Sequence, residues 1–117
     1  MAAGLNDTAL NVGNAAIQAA ATHALLYTAA PNAAGTTNQT SAGLEAITWE
    51  TAANGDMVAT VDVPFTGGAA SGACTQVGLW NSGQTTFYGY FALTGDQTFN
   101  AAGEYTLTGI TITGSSS

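Results

Sequence analysis

The chain contains no lysine and no arginine. Seven acidic residues and a single histidine leave its 117 residues with a formal net charge of −7. Binding a polyanion depends on cationic side chains that release its counterions, so nucleic acid is excluded as a partner. The same argument disfavours anionic membranes and nucleotide substrates. Lysine is also the commonest guard against sheet edges pairing with other chains. Without it, any edges are expected to be covered or paired in an assembly. The lone Cys74 cannot form an internal disulfide and gives no reading of redox compartment. No apolar run approaches the ~18 residues of a membrane span. The N-terminal segment also lacks the basic end and continuous apolar stretch of a secretory signal. These absences predict one soluble globular domain over residues 1–117, with a single core.

Charged residues make up only 6% of the chain, and Thr, Asn, Ser, Gln, Gly and Ala take their place. Such a surface suits permanent protein contacts or neutral ligands such as glycans. An acid-adapted or halotolerant source would also produce it.

Residues 5–24 read as a helix. Alanine is abundant, proline and aromatics are absent, and Leu10, Gly13, Ile17 and Ala21 recur at helical spacing. Asn6 or Asp7 can cap its free N–H groups. The apolar stripe is thin, so the helix needs a support: an open sheet face, or a neighbouring subunit. Ala24 to Thr28 is a first strand that ends before Pro31, and residues 29–43 form a turn-rich surface loop. Asn6-Asp7-Thr8 and Asn38-Gln39-Thr40 match the glycosylation sequon, a short motif that is often fortuitous.

Leu44 to Thr51 and Met57 to Thr66, joined through Asn54-Gly55-Asp56, predict a hairpin, because Asn-Gly accepts the positive φ angles of a type I′ turn. Ile47 and Trp49 share one face, as do Met57, Ala59, Val61, Val63 and Phe65. Pro64 removes a donor and marks an edge or a bulge. Residues 67–73 are a flexible connector. They lack the lysine and helix that a phosphate-cradling loop requires.

The densest segment runs from Cys74 to Gly95. It holds one of two Trp, two of four Phe and two of four Tyr, with Asn81 to Gln84 linking two strand-like runs into a second hairpin. Both of its faces are apolar. The hairpin is therefore central, covered by the helix, or presents Trp80, Tyr88 and Tyr90 to a partner. Trp and Tyr combine contact area with a polar handle, which makes these three the candidate protein-contact or glycan-contact residues. A short strand at residues 97–99 and a last strand at residues 104–113 follow. In the latter, Tyr105 and Leu107 have one parity and Ile110 and Ile112 the other, so a bend is expected at Gly109. Residues 115–117 are a polar tail.

No catalytic constellation holds together. His23 has no nearby acid in sequence and reads as structural, and Cys74 has no cationic neighbour to lower its pKa. The carboxylates are spread singly, which gives no support to a metal site or a cofactor. A pair brought together as in a glycosidase would need a larger cleft than so small a domain provides.

Trp49 on a strand is followed by the strand VATVDVPF, then VGLWNS, FYGYFALTG, QTF and YTLTGITIT. This order resembles small accessory proteins encoded among the structural genes of tailed bacteriophages. The likeness covers nearly the whole chain from His23 onward, including HALLYTAAPNAAGTTN, and is carried mainly by Val77 to Trp80 and Gly89 to Thr94. Complete lack of Lys and Arg departs from that group. The resemblance implies a non-enzymatic protein on the particle exterior, contacting capsid or tail proteins and copies of itself. The absence of coiled-coil heptads or collagen-like repeats excludes a long fibre shaft, so a compact knob is expected, as a capsid decoration or minor tail protein. The expected fold is mainly β: an antiparallel β-sandwich of jelly-roll or Ig-like type over residues 25–114, with one N-terminal α-helix. A glycan-binding module using the same three aromatics is the alternative.

Overall fold

A computed structural model describes residues 6–113, so the expected start of the helix at Leu5 and the polar tail lie outside the described residues. One helix, α1 (Asp7–Ala20), precedes eight strands: β1 (His23–Tyr27), β2 (Glu45–Ala46), β3 (Asp56–Ala59), β4 (Val63–Phe65), β5 (Gln76–Trp80), β6 (Phe87–Ala92), β7 (Tyr105–Leu107) and β8 (Ile110–Thr113). They form an antiparallel four-stranded sheet in the order β2-β1-β5-β6 and two antiparallel pairs, β3-β8 and β4-β7. The sheets are not closed.

The two pairs are one bent ribbon. Ala59 pairs with Ile110 and Val63 with Leu107, so three residues on one side span two on the other. The expected bend falls here, with Gly109 at φ 109°. It turns both Leu107 and Ile110 into the core although they are three residues apart. On the longer side the same kink expels Val61, which is 53% exposed and leaves the core-facing row where the period-two pattern had placed it. Pro64 sits on β4, which among the described residues pairs with β7 alone, as its missing donor requires.

The main core draws Ala24, Leu26, Val77 and Leu79 from the four-stranded sheet and Ala59, Val63, Phe65, Leu107 and Ile110 from the ribbon, with Phe91 packed beside them. Complete burial of each large side chain stabilises the fold by roughly 1.5–3 kcal/mol.

Three expectations are corrected. Asn54 (φ 55°) and Gly55 (φ 79°) do form the tight turn, closed by Asp56 N donating to Ala53 O at 2.9 Å, and Glu50 N reaches Val58 O at 2.8 Å. Beyond that contact the strands diverge: β2 pairs with β1, and β3 with β8. The turn chemistry was local and legible, but the ladder partner was decided by the core. The connector at residues 67–73 is not free. Gly68 N donates to Gly103 O, Ser71 N to Asn100 O and Phe99 N to Gly72 O, and a Cβ on Gly68 would lie 2.4 Å from the Phe99 ring.

The helix is also shorter than 5–24, because Ala21 caps it and β1 already begins at His23. Asn6 is the N-cap, its side chain accepting from Ala9 N at 2.9 Å. No residue of α1 is buried: the helix lies against β3 but is not sunk into the core. Instead it is bound to the β2–β3 turn by polar side chains. Asn11 Oδ1 accepts from Gly55 N (2.9 Å), Asn14 Nδ2 donates to Gly55 O (2.8 Å), and Gln18 Nε2 donates to Glu50 O (3.0 Å). Trp49 Nε1 donates to Ala21 O at 2.9 Å and holds the helix end.

Candidate interaction surface

The Cys74–Gly95 segment is a hairpin, as its pattern predicts. Asn81 organises the link: its Oδ1 accepts from Thr85 N (2.8 Å) and Thr86 N (3.1 Å), while Gln84 takes φ 53°. The register then slips. Leu79 pairs with Gly89 but Trp80 with Phe87, which leaves Tyr88 as an extra residue on β6. A bulge of this kind switches the facing of side chains along a strand. Phe91, paired with Val77, therefore packs on the main core, while Phe87, paired with Trp80, packs on the opposite side of the sheet.

That opposite side carries a second small core of Leu25, Tyr27 and Trp80, with Leu44 and Phe87 against it. Trp80 Nε1 donates to Tyr27 Oη at 2.9 Å, and Tyr27 Oη donates to Gly35 O at 2.8 Å. Gly35 brings the residue 29–43 loop down on this cluster, where a Cβ would stand 2.6 Å from the Phe87 ring. Gly78 leaves room for the Tyr27 and Phe87 rings, which a Cβ would meet at 2.4 and 2.9 Å. Burial holds the Tyr27 phenol above its ordinary pKa, partly offset by the hydrogen bonds from Trp80 and Gln39.

The three candidate aromatics are therefore separated. Trp80 is 4% exposed and packed within the chain against Leu25, Tyr27, Leu44 and Phe87, with no residue of the helix in the cluster. Tyr88 and Tyr90 are 43% and 46% exposed. They border an open apolar groove of about 250 Å³ whose other walls are Ile17 of α1, Met57 of β3, Ile112 of β8, and Leu79 and Phe91. Ile17 belongs to the thin apolar stripe of the helix and is 42% exposed at this wall. Met57 and Ile112 read as core-facing, and they do pair with each other.

The groove continues along β6. Phe91 also borders a cleft of about 360 Å³ against Leu107 and Gly109, and this cleft shares Thr94, Tyr105 and Thr108 with a third of about 490 Å³, where Asp96 and Glu104 stand. Asp96 Oδ1 accepts from Thr98 N and Oγ1, Glu104 Oε1 accepts from Asn100 Nδ2, and Tyr105 Oη donates to Asp96 O. One oxygen of each carboxylate takes no part in these bonds.

Cys74 is fully buried, and burial, with the Asp96 charge second, pushes its thiol up to about 11. The thiolate, the nucleophilic form, is thus disfavoured. His23 lies in β1 opposite Trp80 and Ala46, with Nδ1 2.8 Å from Thr22 Oγ1. Among the described residues no three of His, Cys, Asp or Glu converge as metal ligands, and no helix is long and apolar enough to cross a membrane.

No protein-family model matches the chain, and neither a curated protein nor a solved structure is detectably similar to it.

Proposed function

We propose that the chain is a non-enzymatic structural protein of a tailed-phage virion, carried on the particle exterior as a capsid decoration or minor tail protein. The four-stranded sheet and the bent ribbon serve in this reading as the two leaves of a small open β-sandwich, the knob that docks on a larger lattice. The observation that carries an assembly role is the edge at β6. It has no charge and no proline, and among the described residues no further strand pairs with it, yet it borders an apolar groove with Tyr88 and Tyr90 exposed. A free soluble monomer guards such an edge, whereas an assembly component uses it. The virion setting rests on the sequence resemblance from His23 onward. The test is addition of purified chain to particles stripped of it. Saturable rebinding is expected, and a monodisperse monomer that leaves stripped particles bare would end the proposal.

The glycan reading keeps one supporting observation: two exposed tyrosines flank a groove on which a sugar ring could stack. It loses Trp80 as a platform. Glycan-array binding that disappears in Tyr88→Ala and Tyr90→Ala would favour it over the virion role.

A further inference from the structure

The outer side of β6 is set up to accept a strand. Leu93 N donates to Thr75 O across the hairpin, and Thr75–Leu93 continues the register of Gln76–Ala92 and Val77–Phe91. In an antiparallel ladder, exchanged hydrogen bonds fall on alternate pairs, so Leu93 and Phe91 face β5 with their backbone groups. Those of Tyr90 and Ala92 point away from β5, where β6 is the last strand of the sheet. The groove and clefts lie alongside the same edge. At their far end stand Asp96 and Glu104, in a chain that has no Lys or Arg to neutralise them.

We infer that the β6 edge receives an extended cationic segment of another polypeptide as a fifth strand of the sheet. Its backbone pairs with Tyr90 and Ala92. Its alternate apolar side chains fill the groove beside Phe91, and a Lys or Arg at one end reaches Asp96 and Glu104. A second copy of this chain supplies the strand but not the cation, which is why the partner is a different protein. The backbone supplies affinity and the alternate pockets specificity, as in other strand additions. This deepens the assembly reading above and rests on it.

The experiment is selection of random ten-residue peptides, displayed on yeast, against the immobilised full chain. Enriched sequences are expected to alternate apolar residues, to carry Lys or Arg, and to exclude Pro from the centre. Re-synthesised with N-methyl groups on alternate residues, one phase should bind and the other should lose at least ten-fold in affinity. Ala92→Pro should lose as much, since its N–H is not used by β5. Asp96→Asn with Glu104→Gln, which keep the oxygens that hold the local turns, should weaken binding several-fold at low salt and little at high salt. Sequences without a basic residue, equal affinity for both N-methyl phases, or no enrichment would overturn the inference. So would concentration-dependent self-pairing abolished by Ala92→Pro. Rebinding of the chain to stripped particles despite any of these results would leave the virion role standing and refute only the strand mode.

Discussion

Trp80 Nε1 and Tyr27 Oη are joined by a 2.9 Å hydrogen bond inside a cluster closed by the loop that carries Gly35. Tyr27→Phe leaves the indole N–H buried without a partner, which costs about 1–3 kcal/mol. Chemical denaturation should show that loss. Combined with Trp80→Phe, the two changes should be non-additive, since each removes the same bond.

Glycines at two positions should respond in opposite directions. Gly78→Ala drives a methyl into the Tyr27 and Phe87 rings and should destabilise by about 1–3 kcal/mol, the usual cost of overpacking. Gly13 lies within α1 with nothing within 4 Å of a new Cβ. Gly13→Ala should stabilise by about 0.5–1 kcal/mol through helix propensity. Thermal melts of the two variants check the sign.

Alkaline pH should weaken the fold in a defined window. The Cys74 thiol is raised from 9.0 to about 11, so between these values the unfolded chain releases a proton that the folded chain retains. Stability is then constant below about pH 9 and falls as pH rises towards 11, by linkage. Tyr27 and Tyr105, both raised above 10.0 chiefly by burial, act with the same sign. Denaturant midpoints across this range should fall in the wild type and fall less in Cys74→Ala. Native Cys74 should also resist thiol reagents at pH 8 until the protein unfolds.

The helix should be the first element to open. Its N-cap bond from Ala9 N to Asn6 is worth ~1 kcal/mol in Asn6→Ala. Asn14→Ala with Gln18→Ala removes two of its bonds to the β2–β3 turn. Hydrogen exchange should show α1 amides losing protection in these variants while β5 amides keep theirs.

Tyr88→Ser and Tyr90→Ser should change stability by no more than about 0.5 kcal/mol, because both side chains are half exposed. Particle rebinding should nevertheless fall, which separates their contact role from a packing role.

Local signals in the sequence determined the helix with a cap at Asn6 or Asp7, the Asn54-Gly55 turn, the hairpin between Cys74 and Gly95, and the bend at Gly109. Each depends on residues within a few positions of one another: a cap side chain and its N–H, two residues at positive φ, a change of parity. Absence of cationic side chains likewise follows from composition alone. Only the tertiary structure decided which strands pair, because β2 pairs with β1 and β3 with β8, partners that the turn between β2 and β3 does not specify. It also decided the fate of the aromatics. The single extra residue at Tyr88 sends Phe87 to one side of the sheet and Phe91 to the other; Trp80 is buried beside Tyr27 and Phe87, and Tyr88 and Tyr90 stand at the rim of a groove. Unlike the parity change at Gly109, the slip in β6 leaves no mark in the period-two pattern, since Phe87, Gly89, Phe91 and Leu93 keep one parity across it.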